Sequence, residues 1–547
     1  MHRAWLPLLL GALLGLGNLA SAAGSSVAHA ATIPNDAQLE AAKATIGTIT
    51  IRSLEIFDLN DPNDNKLLFR LADRLHINTR ESAIRAQLLF RTGERYSRSK
   101  LDETERNLRQ LDFIREPVIR PIAYHDGVVD LEIVTHDVWT LQPGISFSRS
   151  GGTNSTGLNL QDSNLLGYGK SIALGHSTNV DRTSTYAQWD DPNVWGSRWT
   201  DDVRYSKNND GKLLSGAIEY PFYALETRYS GGGAASDNLS VVQRYRLGRP
   251  YDSYQSDDKW SDLHFGGSYG ASDRWTKRYL FGFRHDNNQF SPAPDAAPLA
   301  PLPLERNLAY PFLRLQWIEN TYTTIQNLDL IARTEDLHFG LLASVGLGWA
   351  TPAFGADRDA WIADVRADYG LRFGSQHQLF FGGRFGGRLE HGDLRDGLAS
   401  AHGAYYVATS DRTRLVARFS ADAGRNLDID HYPELGGDFG LRGYPLRYQS
   451  GTDRALMTVE ERLYTHWNLF RLLDVGGAAF FDAGRTWGTA PVGTPQLGLL
   501  KDLGIGLRLG NARSSFGNVI HIDLAAPLNG DASISKLQLV VNTEQTY

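Results

Sequence analysis

The sequence predicts a mainly β protein with one small α+β unit ahead of it, and three observations carry that expectation. From Leu141 onward the chain reads as short strands and turns to its last residue. The cleanest strand, Asp502 to Leu509, sets Leu503, Ile505, Leu507 and Leu509 on one face and Asp502, Gly504, Gly506 and Arg508 on the other. Composition agrees: 55 glycines, 23 tyrosines, 23 phenylalanines and 12 tryptophans accompany a mean hydropathy of −0.33, with no run of about 18 apolar residues beyond the N-terminus. A membrane barrel with a wet lumen fits this pattern, because only alternate side chains face lipid. A large soluble β-sandwich fits it too, with the apolar face turned inward.

Residues 1–30 read as an export signal. Arg3 provides the positive start, Trp5 to Leu16 the apolar core, and Ala20-Ser21-Ala22 and Ala28-His29-Ala30 both fit the small-x-small cleavage pattern, the latter preferred. Residues 46–140 follow in β-α-α-β-β order. Ile49, Ile51, Leu54 and Ile56 mark a first strand that ends near the turn signal Asp61-Pro62. Thr79 to Arg91 carries Ile84 and Leu88 at helical spacing. A second helix starts at Ser99, with Asp102 completing a capping-box pattern and Leu101, Leu108 and Leu111 on its apolar face. Val118 to Tyr124 and Val128 to Thr135 are strands joined at Asp126-Gly127, a strong hairpin signal. Residues 141–547 are assigned to the barrel-like region.

The most informative stretch is Gly436 to Pro445, Gly-Gly-Asp-Phe-Gly-Leu-Arg-Gly-Tyr-Pro, read together with Phe480-Phe481-Asp482-Ala483-Gly484. The first is a glycine-rich segment holding one cation, Arg442, beside Gly443 and Tyr444. The second closes an alternating strand in which Asp482 shares a face with Phe480 and Gly484. An arginine on a glycine hinge and an acid inside a strand point to a long loop, about 425–453, folded back into a barrel and pinned there. Glu460 and Arg462 share one face of the strand between and extend the possible network.

This pairing resembles the inward-folded loop and partner strand of the BamA/TamA outer-membrane assembly superfamily (the bacterial surface antigen family). Asn164-Leu165-Leu166-Gly167-Tyr168-Gly169 resembles that family's early barrel turn, and residues 46–140 resemble a single polypeptide-transport-associated (POTRA) domain. The resemblance implies a transmembrane antiparallel β-barrel of sixteen strands, five of them after the loop. Five runs follow the loop here: 454–465, 471–483, 499–509, 517–525 and 535–546. More runs precede it than the eleven expected. Those near 237–258 and 289–308 are assigned to hairpins in long extracellular loops, the second because Pro292, Pro294, Pro298, Pro301 and Pro303 do not suit central strands. The resemblance also implies residence in the outer membrane among its lipid, with the POTRA-like unit in the periplasm. It implies a role in inserting or translocating client polypeptides. A dedicated secretion pore for one exported partner and a passive structural channel are the alternatives.

No catalytic residue, cofactor or metal site is expected. The chain has no cysteine, no His-Glu-x-x-His and no phosphate-binding loop. Its one Gly-x-Ser-x-Gly, Gly266 to Gly270, lies in a strand-like run without the strand-to-helix turn that a nucleophile requires. The net charge of −7 offers no basic footprint for nucleic acid.

Overall fold

In the computed structural model, residues 33–62, 64–272, 274–294, 298–490, 497–511, 513 and 519–544 are described. The signal segment, residues 1–30, and Gln545 and Thr546 of the run 535–546 lie outside them.

The N-terminal unit is a three-stranded sheet packed by helices. Strand Val128–Asp137 is central, parallel to Thr45–Leu54 and antiparallel to Ile114–His125. Asp126 and Gly127 join the last two strands with both φ angles positive, the left-handed pair that a tight hairpin of this twist needs. Leu39, Ile84, Leu101, Leu108, Ile119 and Ile133 are among the residues that close the core beneath the sheet. The helices depart from the expected pair. Thr79 to Arg91 contains only the short helix Glu81–Arg85, and a separate helix, Leu67–Leu75, precedes it. Arg98–Arg109 forms as expected, but Ser97 caps it without a side-chain hydrogen bond, and Asp102 pairs with Arg98 one turn back instead of closing a box.

From Leu141–Ser150 to Gln538–Glu544, twenty antiparallel strands close into a barrel. The expectation of sixteen is therefore wrong. Five strands do follow the long loop: Asp453–Leu469, Leu473–Trp487, Leu500–Gly510, Val519–Pro527 and Gln538–Glu544. The excess lies before it, where fifteen strands stand in place of eleven. The run at 237–258 is no separate hairpin in a loop. It is the upper part of Tyr229–Arg246 and Arg249–Ala271, whose residue pairing runs from Tyr229 opposite Gly267 to Arg246 opposite Arg249 with one bulge. Alternation along the chain reports which residues face in and out, but not which runs are counted into the closed wall. Of the run 289–308, Pro294, Pro298, Pro301 and Pro303 lie between wall strands, but Pro292 ends the wall strand Trp275–Pro292 opposite Tyr254, and 306–308 begin the next, Arg306–Glu319.

The barrel's alternation decides between lipid and a soluble core. Leu503, Ile505 and Leu507 are exposed on the outside, while Asp502 and Arg508 are buried on the lumen side. Ile520 and Leu524 are likewise exposed, and His521 and Asp523 buried. Exposed Leu, Phe, Tyr, Trp and Val recur on strands around the wall, far more than a water-facing surface tolerates. A closed barrel with apolar side chains out and charges in satisfies its backbone internally and can span a bilayer.

The first rim turn explains the Asn164 to Gly169 motif. Asn164 accepts from the Gly169 N–H through Oδ1 at 2.6 Å and donates from Nδ2 to Thr79 Oγ1 at 2.8 Å. The Arg80 N–H donates to the Gly167 carbonyl at 2.9 Å, and the Arg80 guanidinium lies 4.1 Å above the Tyr168 ring. Gly167 has a φ of 78°, and a Cβ there would sit 2.4 Å from the Asn78 carbonyl oxygen. The turn is thus a seat for the N-terminal unit.

A closed barrel with no free edges should resist detergent until heated. The unboiled protein is expected to migrate differently from the boiled one in denaturing gels; identical mobility would contradict barrel closure.

Candidate functional site: an inward loop locked by buried arginines

The connection from Asn426 to Thr452 folds from the rim opposite the N-terminal unit into the barrel. Its base is fixed by charge. Arg306 clamps Asp430 with two hydrogen bonds of 3.1 and 2.6 Å, and Arg388 donates to Asp428 at 2.8 Å. Its apolar underside, Leu435, Leu441, Tyr444 and Tyr448, is buried with Leu500. Arg447 grips Asp181, in a turn of the first strands, through two 2.8 Å bonds.

At the tip, Arg442 and Asp482 meet as a fork. Nε donates to Oδ2 at 2.8 Å and Nη2 to Oδ1 at 3.0 Å. The remaining Nη1 donates to Glu460 Oε2 at 3.0 Å and to Asp523 Oδ2 at 3.1 Å. The guanidinium carbon sits 3.3 Å from the Phe480 ring centroid, adding a cation–π contact from below. Burial alone would lower the Arg442 pKa, but the hydrogen bonds and charges of Asp482, then Glu460 and Asp523, raise it above its ordinary value. The arginine is held charged.

The flanking residues have steric and polar reasons to be what they are. A Cβ on Gly443 would come within 2.7 Å of the Asp502 Cβ and 3.0 Å of the Pro527 nitrogen, so the backbone approaches the wall as only glycine can. Tyr444 is fully buried; its hydroxyl accepts from the Lys501 N–H at 3.0 Å and reaches the Asn529 carbonyl at 2.8 Å. Gly484 leaves room for Leu435, whose methyl lies 3.1 Å from where a Cβ would stand. The structure therefore brings together Arg442, Gly443, Tyr444, Phe480, Asp482 and Gly484, and adds Glu460 to the same cluster.

Sequence reasoning missed the extent of the network. Arg508 bridges Glu460 at 2.9 Å and also pairs with Asp523. Both sit on the lumen face of their strands, a signal that alternation supplied and that went unassigned. Arg462 donates to Glu460 at 2.8 Å and, in the other direction, to Asp329 at 3.0 Å. Asp329 belongs to an element with no sequence signal: a hairpin, Tyr322–Gln326 paired with Thr334–His338, that rises from the N-terminal rim into the lumen. Its tip packs Leu328 against Tyr406 and Val416, and Tyr406 donates to Asp329 at 2.9 Å. Glu335 accepts from the Leu328, Asp329 and Leu330 N–H groups, while burial, reinforced by Asp329, pushes its pKa up to about 7. Arg109 of the N-terminal unit clamps Asp336 of the hairpin at 2.7 and 2.9 Å. Side chains thus link the N-terminal unit to the hairpin, and the hairpin tip through Arg462 and Glu460 to the inward loop.

The loop also spans the joint at which registered pairing among the described residues is sparsest. Where first and last strands meet, the described residues register a single pair, Val541 with Arg149. Ten pairs join the first strand to its other neighbour, and seven join the last strand to its own. On one side of this seam Ser150 Oγ donates to the Gly437 carbonyl at 2.6 Å, and Gly151 packs against Leu446. On the other, Tyr444 meets Asn529, and Tyr448 Oη accepts from the Asp531 N–H at 3.3 Å.

Fold and site define a closed β-barrel with an inward loop pinned to its wall. Solved structures similar to the chain include BamA and CdiB. Haemophilus ducreyi BamA lacking POTRA domains 1–3 matches 90% of this chain and 84% of its own, at 14% identity and a TM-score of 0.38. CdiB of Escherichia coli matches over 91% and 76%, at 13% and 0.48, and CdiB of Acinetobacter baumannii over 91% and 73%, at 13% and 0.42. No family model and no curated protein sequence matches the chain.

Arg442→Ala and Asp482→Ala should each destabilise the loop's seat, by up to about 3–5 kcal/mol and less where lumen water reaches the orphaned partner. The double variant should cost less than the sum, read as unfolding midpoints in detergent. Strict additivity would show that the two residues do not act as a pair.

Proposed function

We propose that this barrel acts in the insertion or translocation of polypeptides at the bacterial outer membrane. The observation that carries the proposal is the seam: among the described residues one registered pair, flanked on both sides by contacts from a loop whose seat is a buried arginine. A passive channel has no need of a weak joint under a lock. A barrel that separates its first and last strands to admit a client strand needs both. An opened seam would expose unpaired N–H and C=O groups on Leu141–Ser150 and Gln538–Glu544, ready for strand addition by a client.

In this reading the N-terminal unit is the POTRA-like periplasmic domain that meets the client first, and the first thirty residues direct export. No bond-making chemistry, metal or cofactor takes part; Arg442, Asp482 and their neighbours are structural. The ion pairs that run from Arg109 through the lumen hairpin to Glu460 supply a physical route by which the domain's position can bear on the loop. The resemblance of the Arg442 loop and Asp482 strand to the assembly superfamily supports the same assignment. Dedicated secretion of one partner through the lumen is the competing reading.

Arg149→Cys with Val541→Cys tests the proposal, since the chain has no cysteine of its own. The oxidised protein should remain a folded barrel, lose its ability to restore outer-membrane protein levels in a depleted strain, and regain it on reduction. Full activity of the crosslinked protein would overturn seam opening and favour passage through the lumen.

A further inference from the structure

Helix Leu67–Leu75 in the N-terminal unit presents a face that nothing in the chain covers. Leu67, Leu71 and Leu75, one turn apart, are 73%, 49% and 64% exposed, and Ile77 beyond the helix is half exposed. Beside this stripe run Lys66, Arg70 and Arg74 at the same spacing, all exposed. The opposite face is committed: Phe69 stacks on Phe57 at 4.2 Å, and Ala72 packs on the same cluster with Trp139. Asp73, the one acid in the helix, is largely withdrawn from solvent, so the outward faces carry apolar and positive groups alone.

The segment leading into the helix is tied to the barrel rim. Asp61 and Asp64 pair with Arg471 at 3.3 and 3.1 Å, Asp64 with Arg513 at 3.1 Å, and the Arg513 guanidinium lies 4.9 Å over Phe57. Next to Arg471, the rim exposes Trp467 (71%) and Phe470 (81%), the residue types that sit at a membrane–water boundary.

We infer that helix Leu67–Leu75 lies in the surface of the adjoining phospholipid leaflet, with Leu67, Leu71 and Leu75 among the acyl chains and Lys66, Arg70 and Arg74 on anionic headgroups. A short helix with leucines on one side and cations along the flank is built for such an interface. The face is the outer side of a helix and offers no free backbone edge for strand addition by a peptide. Its cations complement the anionic headgroups, and its position continues the aromatic rim of the wall. The inference rests on the barrel being membrane-embedded.

The test uses the full chain with single cysteines, Leu71→Cys or Ile505→Cys, each labelled with an environment-sensitive fluorophore and reconstituted in phosphatidylethanolamine/phosphatidylglycerol vesicles carrying brominated acyl chains. Ile505 faces outward from the wall and reports the membrane reading itself. The Leu71 probe should lose fluorescence to a degree approaching the Ile505 probe. That loss should shrink when Lys66, Arg70 and Arg74 are changed to Glu, and when phosphatidylglycerol is omitted. Quenching at Ile505 with none at Leu71 would overturn the inference and leave the barrel reading standing. Quenching at neither would overturn both. A Leu71 probe open to aqueous iodide until an unfolded outer-membrane polypeptide is added would make the face a client surface, contrary to the inference.

Discussion

A guanidinium buried inside a barrel wall is the constraint on which the rest depends. Arg442 has a side chain only 14% exposed, among carboxylates that are 0 to 5% exposed. Neither side of that arrangement is tolerable alone. Without the arginine, Asp482 would lose its guanidinium partner in a poorly solvated space, while Glu460 and Asp523 would keep only Arg508 and, for Glu460, Arg462; without the acids, the loop tip would carry an uncompensated buried charge. The two motifs therefore fix each other: the loop enters because the wall is acidic there, and the wall can be acidic because the loop enters. The fork geometry makes arginine, with donors in a plane, the suitable cation; lysine would be a point charge without the second bond.

The network's reach gives the lock its consequence. Glu460 is shared by Arg442, Arg462 and Arg508, so loop, wall and lumen hairpin meet at one carboxylate. The loop also touches both sides of a seam at which the described residues register one pair. Most of the wall is held by long strand ladders, whereas here the closure leans on side chains arriving from distant parts of the chain. Stability is concentrated where strands are long, and the seam is the place where a modest change in one loop alters which edge is available.

Much of this is legible in the residues themselves. Strands with one wet and one greasy face announce themselves by alternation, so the five after the loop can be located to within a few residues. Arg442, Asp482 and Glu460 stand out because charges on glycine-rich or alternating segments have few ordinary explanations. The strand number is not legible, since nothing in the run at 237–258 distinguishes the end of a long wall strand from a hairpin standing above it. The lumen hairpin escapes for a different reason: Tyr322 to His338 is short and carries no sustained alternation, and its burial comes from contacts with Tyr406, Val416 and Arg462, far away in sequence. Helix Leu67–Leu75 escapes because Leu67, Leu71 and Leu75 face outward, leaving Phe69 and Ala72 on the face committed to the packed cluster.

Amide hydrogen exchange in the Arg442→Ala protein tests the central claim most directly, because it reads the seam strand by strand. If the arginine lock holds the seam closed, Leu141–Ser150 and Gln538–Glu544 should lose protection relative to the wild type. Trp275–Pro292 and Arg306–Glu319, in a wall region with fourteen registered pairs, should keep theirs. Unchanged protection at the seam, or a uniform loss around the whole barrel, would contradict the account.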